Sequence, residues 1–107
     1  LIRYSPLAAE FIRKEKRYLN AHSRNAARQF VRDVADVTLL LKQYPMIGGD
    51  LGLLRGTPLE GIRRWVKGNY IFDYRITPNG DILVLLVRHH AQDDPYLEHD
   101  SDDDFDD

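Results

Sequence analysis

The chain has 107 residues, no cysteine, 43% hydrophobic and 30% charged residues, and a formal net charge of −2. This length supports one domain with a single core. The lack of cysteine excludes disulfides, thiolate metal sites and a cysteine nucleophile, in keeping with a reducing, cytoplasmic setting. The net charge hides a division: residues 1–92 hold all 15 Lys and Arg with eight acids, a balance of +7, whereas residues 93–107 hold nine acids and no cation. A basic body points to an anionic partner, either nucleic acid or an acidic protein segment. Residues 1–93 are therefore expected to form the folded domain and residues 94–107 an acidic tail. No apolar run approaches the ~18–20 residues of a membrane span. Leu1-Ile2-Arg3-Tyr4 does not read as a signal peptide, and without an initiator Met the natural chain is expected to begin a few residues earlier.

Leu1–Tyr4 predicts a short strand. Ser5-Pro6 supplies an N-cap followed by proline at the first helical position, where its missing N–H costs nothing. Leu7, Ala8, Phe11, Ile12, Glu15, Tyr18 and Leu19 recur at steps of three and four, which predicts a helix with a basic flank at Arg13, Lys14, Lys16 and Arg17. Asn20-Ala21-His22 should break it, and Ser23 should cap the next helix. Ala27, Phe30, Val31, Val34, Val37, Leu40, Leu41 and Tyr44 continue a helical period up to Pro45. So short a join predicts an antiparallel hairpin.

Residues 45–61 contain two prolines and five glycines and predict a long irregular loop. Three strands follow, Ile62–Lys67, Tyr70–Ile76 and Ile82–Val87, joined by turns at Gly68-Asn69 and Asn79-Gly80. The expected fold is α+β in the order β-α-α-β-β-β, a two-helix hairpin packed on a small, mostly antiparallel sheet. In the last strand, strict alternation sends Ile82, Val84 and Leu86 one way and Leu83, Leu85 and Val87 the other, so both faces are apolar. One hairpin covers one face of such a sheet. The long loop, a second copy or another protein must cover the other.

In this order, Tyr4-Ser5-Pro6-Leu7-Ala8-Ala9-Glu10, Tyr44-Pro45-Met46-Ile47-Gly48, Ile62-Arg63-Arg64-Trp65-Val66, Tyr70-Ile71-Phe72-Asp73-Tyr74-Arg75-Ile76 and Ile82-Leu83-Val84-Leu85-Leu86-Val87-Arg88-His89 resemble the RelE/ParE superfamily, the toxins of type II toxin–antitoxin systems. The likeness spans roughly residues 2–93. It implies a basic toxin, wrapped and neutralised by a cognate antitoxin in a hetero-oligomer. RelE-like members cut messenger RNA on the ribosome, whereas ParE-like members resemble inhibitors of DNA gyrase. His89-His90-Ala91-Gln92-Asp93 departs from the family's His-Gly-Ala-Arg-Asp ending at His90 and Gln92, which removes a glycine and a cation. The chain therefore looks ParE-like, with a degenerate, non-toxic interaction module as a further alternative. The resemblance implies no cofactor or metal.

Arg63, Arg64 and Lys67 surround Trp65, so a guanidinium beside an aromatic ring could hold a phosphate. A solvated strand face is the plainer alternative. Arg75 either extends this patch or pairs with Asp73 or Asp81. Leu83, Leu85 and Val87 are candidates for the face that receives a target or antitoxin. Arg28 and Arg32, in one stripe with Arg24, are candidates on the second helix. For ribonuclease chemistry the candidates are Arg64, Arg88, His89 and His90, the histidines serving as acid or base. Alternation should send His89 and His90 to opposite faces. The segment Ser101–Asp107 reads either as a solvating tail or as a shield, with Phe105 docked and aspartates on the arginines. As a shield, its removal should strengthen binding to DNA or to an acidic antitoxin at low salt.

Overall fold

The computed structural model describes residues 1–52, 55–57 and 59–91. Its elements are β1 (Ile2–Tyr4), α1 (Pro6–His22), α2 (Arg24–Gln43), β2 (Gly49–Asp50), β3 (Arg63–Lys67), β4 (Tyr70–Ile76) and β5 (Ile82–His89). They form two helices on one five-stranded sheet of order β1-β5-β4-β3-β2, in which only the β1–β5 pairing is parallel. This is the α+β fold expected from the sequence, with one strand more. β2 is too short to carry a period, and it exists because the loop backbone at Gly49 and Asp50 pairs with Arg64 and Arg63.

Ser5 organises the start of the domain. Its Oγ accepts from the Ala8 amide at 3.0 Å and donates to the Leu85 carbonyl at 2.8 Å, while its own amide donates to the Val84 carbonyl at 2.9 Å. One serine thus caps α1 and fastens it to β5. The break expected at Asn20 does not occur. α1 runs to His22, whose Nδ1 bonds the Tyr18 carbonyl at 2.8 Å, and the two rings lie 4.3 Å apart. Ser23 then caps α2, its Oγ accepting from the Ala26 amide.

The core lies between hairpin and sheet. Ala8, Phe30, Val37 and Leu41 from the helices meet Tyr70, Phe72, Tyr74, Ile82, Val84 and Val87 from the strands. Strict alternation fails in β5. Asp73 faces Leu86 while Tyr74 faces Val84, so Leu85 is an extra residue, a β-bulge. Beyond it the faces exchange. Val87 is 1% exposed and sits in the core, not on the outer face with Leu83, and Leu86 is half-buried on the outer face.

The long loop is tied to the sheet by a buried tyrosine. Tyr74 is 0% exposed, its hydroxyl donates to the Pro45 carbonyl at 2.6 Å, and it accepts from the Gly48 amide at 2.9 Å. Any Cβ at Gly48 would lie 2.7 Å from that hydroxyl and 2.9 Å from the Arg64 carbonyl, so only glycine fits. Arg63 adds two bonds to the same loop, from Nε to the Gly48 carbonyl at 2.8 Å and from Nη2 to the Met46 carbonyl at 2.9 Å. Tyr74→Phe leaves the Gly48 amide and the Pro45 carbonyl without the phenol, so it should cost roughly 2–4 kcal/mol in urea unfolding.

Candidate interaction surface

Cross-strand pairs share a face, so the register sorts the sheet's side chains. Trp65, Phe72 and Val87 stand in one row, Tyr4, Val84 and Tyr74 in another. These rows face the helices, since Tyr4 and Thr38 hydroxyls bond at 2.6 Å and Trp65 packs on the core. The opposite face carries Arg64 and Val66 from β3, Ile71, Asp73 and Arg75 from β4, Leu83, Leu86 and Arg88 from β5, and Arg3 from β1. Neither helix contributes to it among the described residues.

This open face has a charged centre in an apolar surround. Arg64 grips Asp73 with two bonds, Nε to Oδ1 at 2.7 Å and Nη2 to Oδ2 at 3.0 Å, and the Asp73 side chain is 1% exposed. The carboxylate is spent on that pair, so Arg75 does not have it, and Asp81 pairs with the amino terminus at 3.4 Å. The Nε of Arg75 is buried without a hydrogen-bond partner among the described residues. Around these groups lie Leu83, Leu86 and Ile71, half-buried, and Val66, 53% exposed. Apolar area among arginines suits a partner that brings apolar side chains together with carboxylates.

The sequence candidates therefore divide. Arg64, Arg75, Leu83 and Arg88 share the open face, and Leu85 occupies the bulge. Arg63, Trp65, Lys67 and Val87 lie on the helix face, where Arg63 holds the loop and Lys67 approaches Asp36 at 4.0 Å. Arg28 and Arg32 are exposed on the hairpin. His89 faces the helices with its ring 5.4 Å from that of Tyr70. The two histidines do not diverge as expected. β5 ends at His89, the chain turns, and the rings stack at 5.1 Å. Leu86, Ile71 and Val66 were missed as site candidates. For Leu86 the reason is the bulge; Val66 and Ile71 could have been found by following Arg64 along its own face.

A second concavity of about 650 Å³ opens on the helix side between the hairpin and the β3–β4 turn, and includes Glu15, Asp33, Tyr70 and His89. The Tyr70 hydroxyl donates to Glu15. Burial, then the bond to Glu15 and the charges of Glu15 and Asp33, hold the Tyr70 phenol protonated far above its ordinary value of 10.0. Burial raises Tyr4 as well, against the opposing hydrogen bond to Thr38. Both shifts are upward, so their stabilisation is complete below the unfolded value near 10 and is lost as pH rises past it. The urea midpoint should fall between about pH 9 and about pH 11, and Tyr70→Phe should flatten that fall.

Among the described residues no group of three or more His, Cys, Asp or Glu is placed to hold a metal ion, and no helix is long and apolar enough to cross a membrane. Residues 2–94 match the family model described as the ParE toxin of the type II toxin–antitoxin system parDE. Among solved structures, the fold is similar to a chain of the chromosomal ParDE toxin–antitoxin system from P. aeruginosa. That match has a TM-score of 0.60 and 16% identity, and covers 82% of this chain and 92% of the other. No curated protein matches the sequence.

Proposed function

Because this chain belongs to the ParE toxin family of type II toxin–antitoxin systems, we propose that it binds and inhibits DNA gyrase and is neutralised by a cognate antitoxin seated on the open face of the sheet. The observation that carries the antitoxin seat is that face itself: Leu83, Leu86, Ile71 and Val66, set among Arg3, Arg64, Arg75 and Arg88, with no helix over them among the described residues. An acidic, amphipathic antitoxin segment meets both needs of such a surface, apolar contact with the leucines, Ile71 and Val66 and carboxylates for the cations. The family carries the gyrase reading. Local geometry weighs against the ribonuclease alternative. Arg64 and Arg88 lie on the open face, His89 lies on the other side of the sheet, and Arg64 is committed to Asp73. Cleavage through a 2′-hydroxyl needs its base, acid and cations around one phosphate.

The decisive experiment pairs two assays on the same active preparation. Purified protein should block supercoiling by gyrase in a dose-dependent way, and the antitoxin should restore it. The same protein should leave transcripts intact in a translating extract. Unimpaired supercoiling by protein that arrests growth would end the gyrase reading, and cleaved transcripts would establish the ribonuclease in its place.

A further inference from the structure

The outer surface of the hairpin, away from the sheet, carries a groove of about 420 Å³. Ala27 and Val31 form its floor, and Lys16, Arg28 and Arg32 its rim. Val31 is 44% exposed there. Among the described residues Arg28 and Arg32 donate to neutral amides, Asn25 Oδ1 at 2.5 Å and Gln29 Oε1 at 3.1 Å, and no carboxylate pairs with either. An adjoining hollow of about 300 Å³ adds Arg13 and Arg17, and among the described residues no carboxylate lines either concavity. A nucleic-acid backbone satisfies the rim of such a groove and leaves its floor wet. An acidic peptide with one large apolar side chain satisfies both.

The chain contains such a segment. Ser101–Asp107 holds five aspartates around a single phenylalanine, Phe105. Its position along the chain also suits the groove. His89, at the end of β5, borders the 650 Å³ cavity together with Tyr18, Ala26 and Gln29, which flank the helix–helix turn. β5 therefore delivers the chain to the end of the hairpin where the groove lies. The 13 residues 92–104 reach up to about 43 Å when extended. A helix with its side chains is about 10–12 Å across, well within that reach.

We propose that residues 101–107 dock in this groove, with Phe105 on the Ala27–Val31 floor and aspartates on Lys16, Arg28 and Arg32. The chain then carries its own competitor for the basic hairpin, independent of which cellular target the toxin poisons. The association is intramolecular, so a weak local affinity suffices to fill the groove, and added salt empties it.

The chain has no cysteine, so Ser101→Cys gives the full-length protein one attachment point for a spin label. At about 50 mM salt the label should broaden the amide signals of Ala27, Val31 and Arg32 several-fold more than those of β4. About 500 mM salt should relieve the broadening. Arg28→Glu with Arg32→Glu should abolish it; both side chains are exposed, and an unchanged circular dichroism spectrum verifies the fold. Phe105→Ala should weaken it with the charge intact. Broadening centred on the open face around Arg75, broadening that grows with protein concentration and so reports a second copy, or no broadening at all would each overturn the proposal.

Discussion

Replacing Asp73 by alanine should destabilise the domain by about 3–5 kcal/mol, the range for breaking a buried ion pair by removing one partner. Asp73 is 1% exposed and takes two bonds from Arg64, whose side chain is 20% exposed. The variant leaves the Arg64 guanidinium on β3 without its carboxylate, and that lost compensation carries most of the cost. The sign of the double variant distinguishes this account from a loss of packing. Arg64→Leu with Asp73→Leu removes the charge together with its partner, so it should recover most of the lost stability. Urea unfolding of the wild type, Arg64→Leu, Asp73→Leu and the double variant measures the coupling. A double variant as unstable as the sum of its singles would show that the pair is not the stabilising unit.

The second large effect concerns the partner. Leu83→Asp with Leu86→Asp should weaken antitoxin binding by at least about 100-fold, the loss expected from removing two apolar anchors and adding like charge against an acidic segment. Both leucines are half-buried on the open face and neither belongs to the core between helices and sheet. Far-ultraviolet circular dichroism should therefore stay near that of the wild type. Titration calorimetry with the antitoxin measures the loss. Val87→Asp serves as the contrast, because Val87 is 1% exposed in the core and should unfold the protein instead. Undiminished affinity in the double leucine variant would move the antitoxin to another surface.

The contrast between Leu86 and Val87 also shows what the sequence could convey. The hairpin was legible because its signals are local: Ser5-Pro6, Ser23 and an apolar stripe of helical period all act within a turn or two. The β4–β5 turn was legible for the same reason, since Gly80 at φ +88 takes up the backbone that Asn-Gly announces. The run Ile82–Val87 is apolar at every position, so no polar residue marks where alternation slips, and the bulge at Leu85 stayed hidden. The partner of Asp73 was equally hidden. Arg64 and Arg75 both lie on its face, and register rather than composition puts Arg64 directly opposite. The contact between Tyr74 and Gly48 joins residues 26 positions apart, a distance over which a glycine in a glycine-rich loop looks like any other. The cavity that holds Glu15 and Tyr70 escaped for a similar reason, since it needs α1 and β4 brought together across 55 positions.

The bulge at Leu85 divides β5 into two stretches with separate duties. The first, Ile82–Val84, is pinned by β1 and by the Ser5 amide. The second, Leu86–His89, takes its strand pairing from β4 among the described residues. The register shift at the bulge separates the two stretches. If the antitoxin sits on the open face as proposed, substitutions at Leu86 or Arg88 fall on the far side of the bulge from the cap of the first helix.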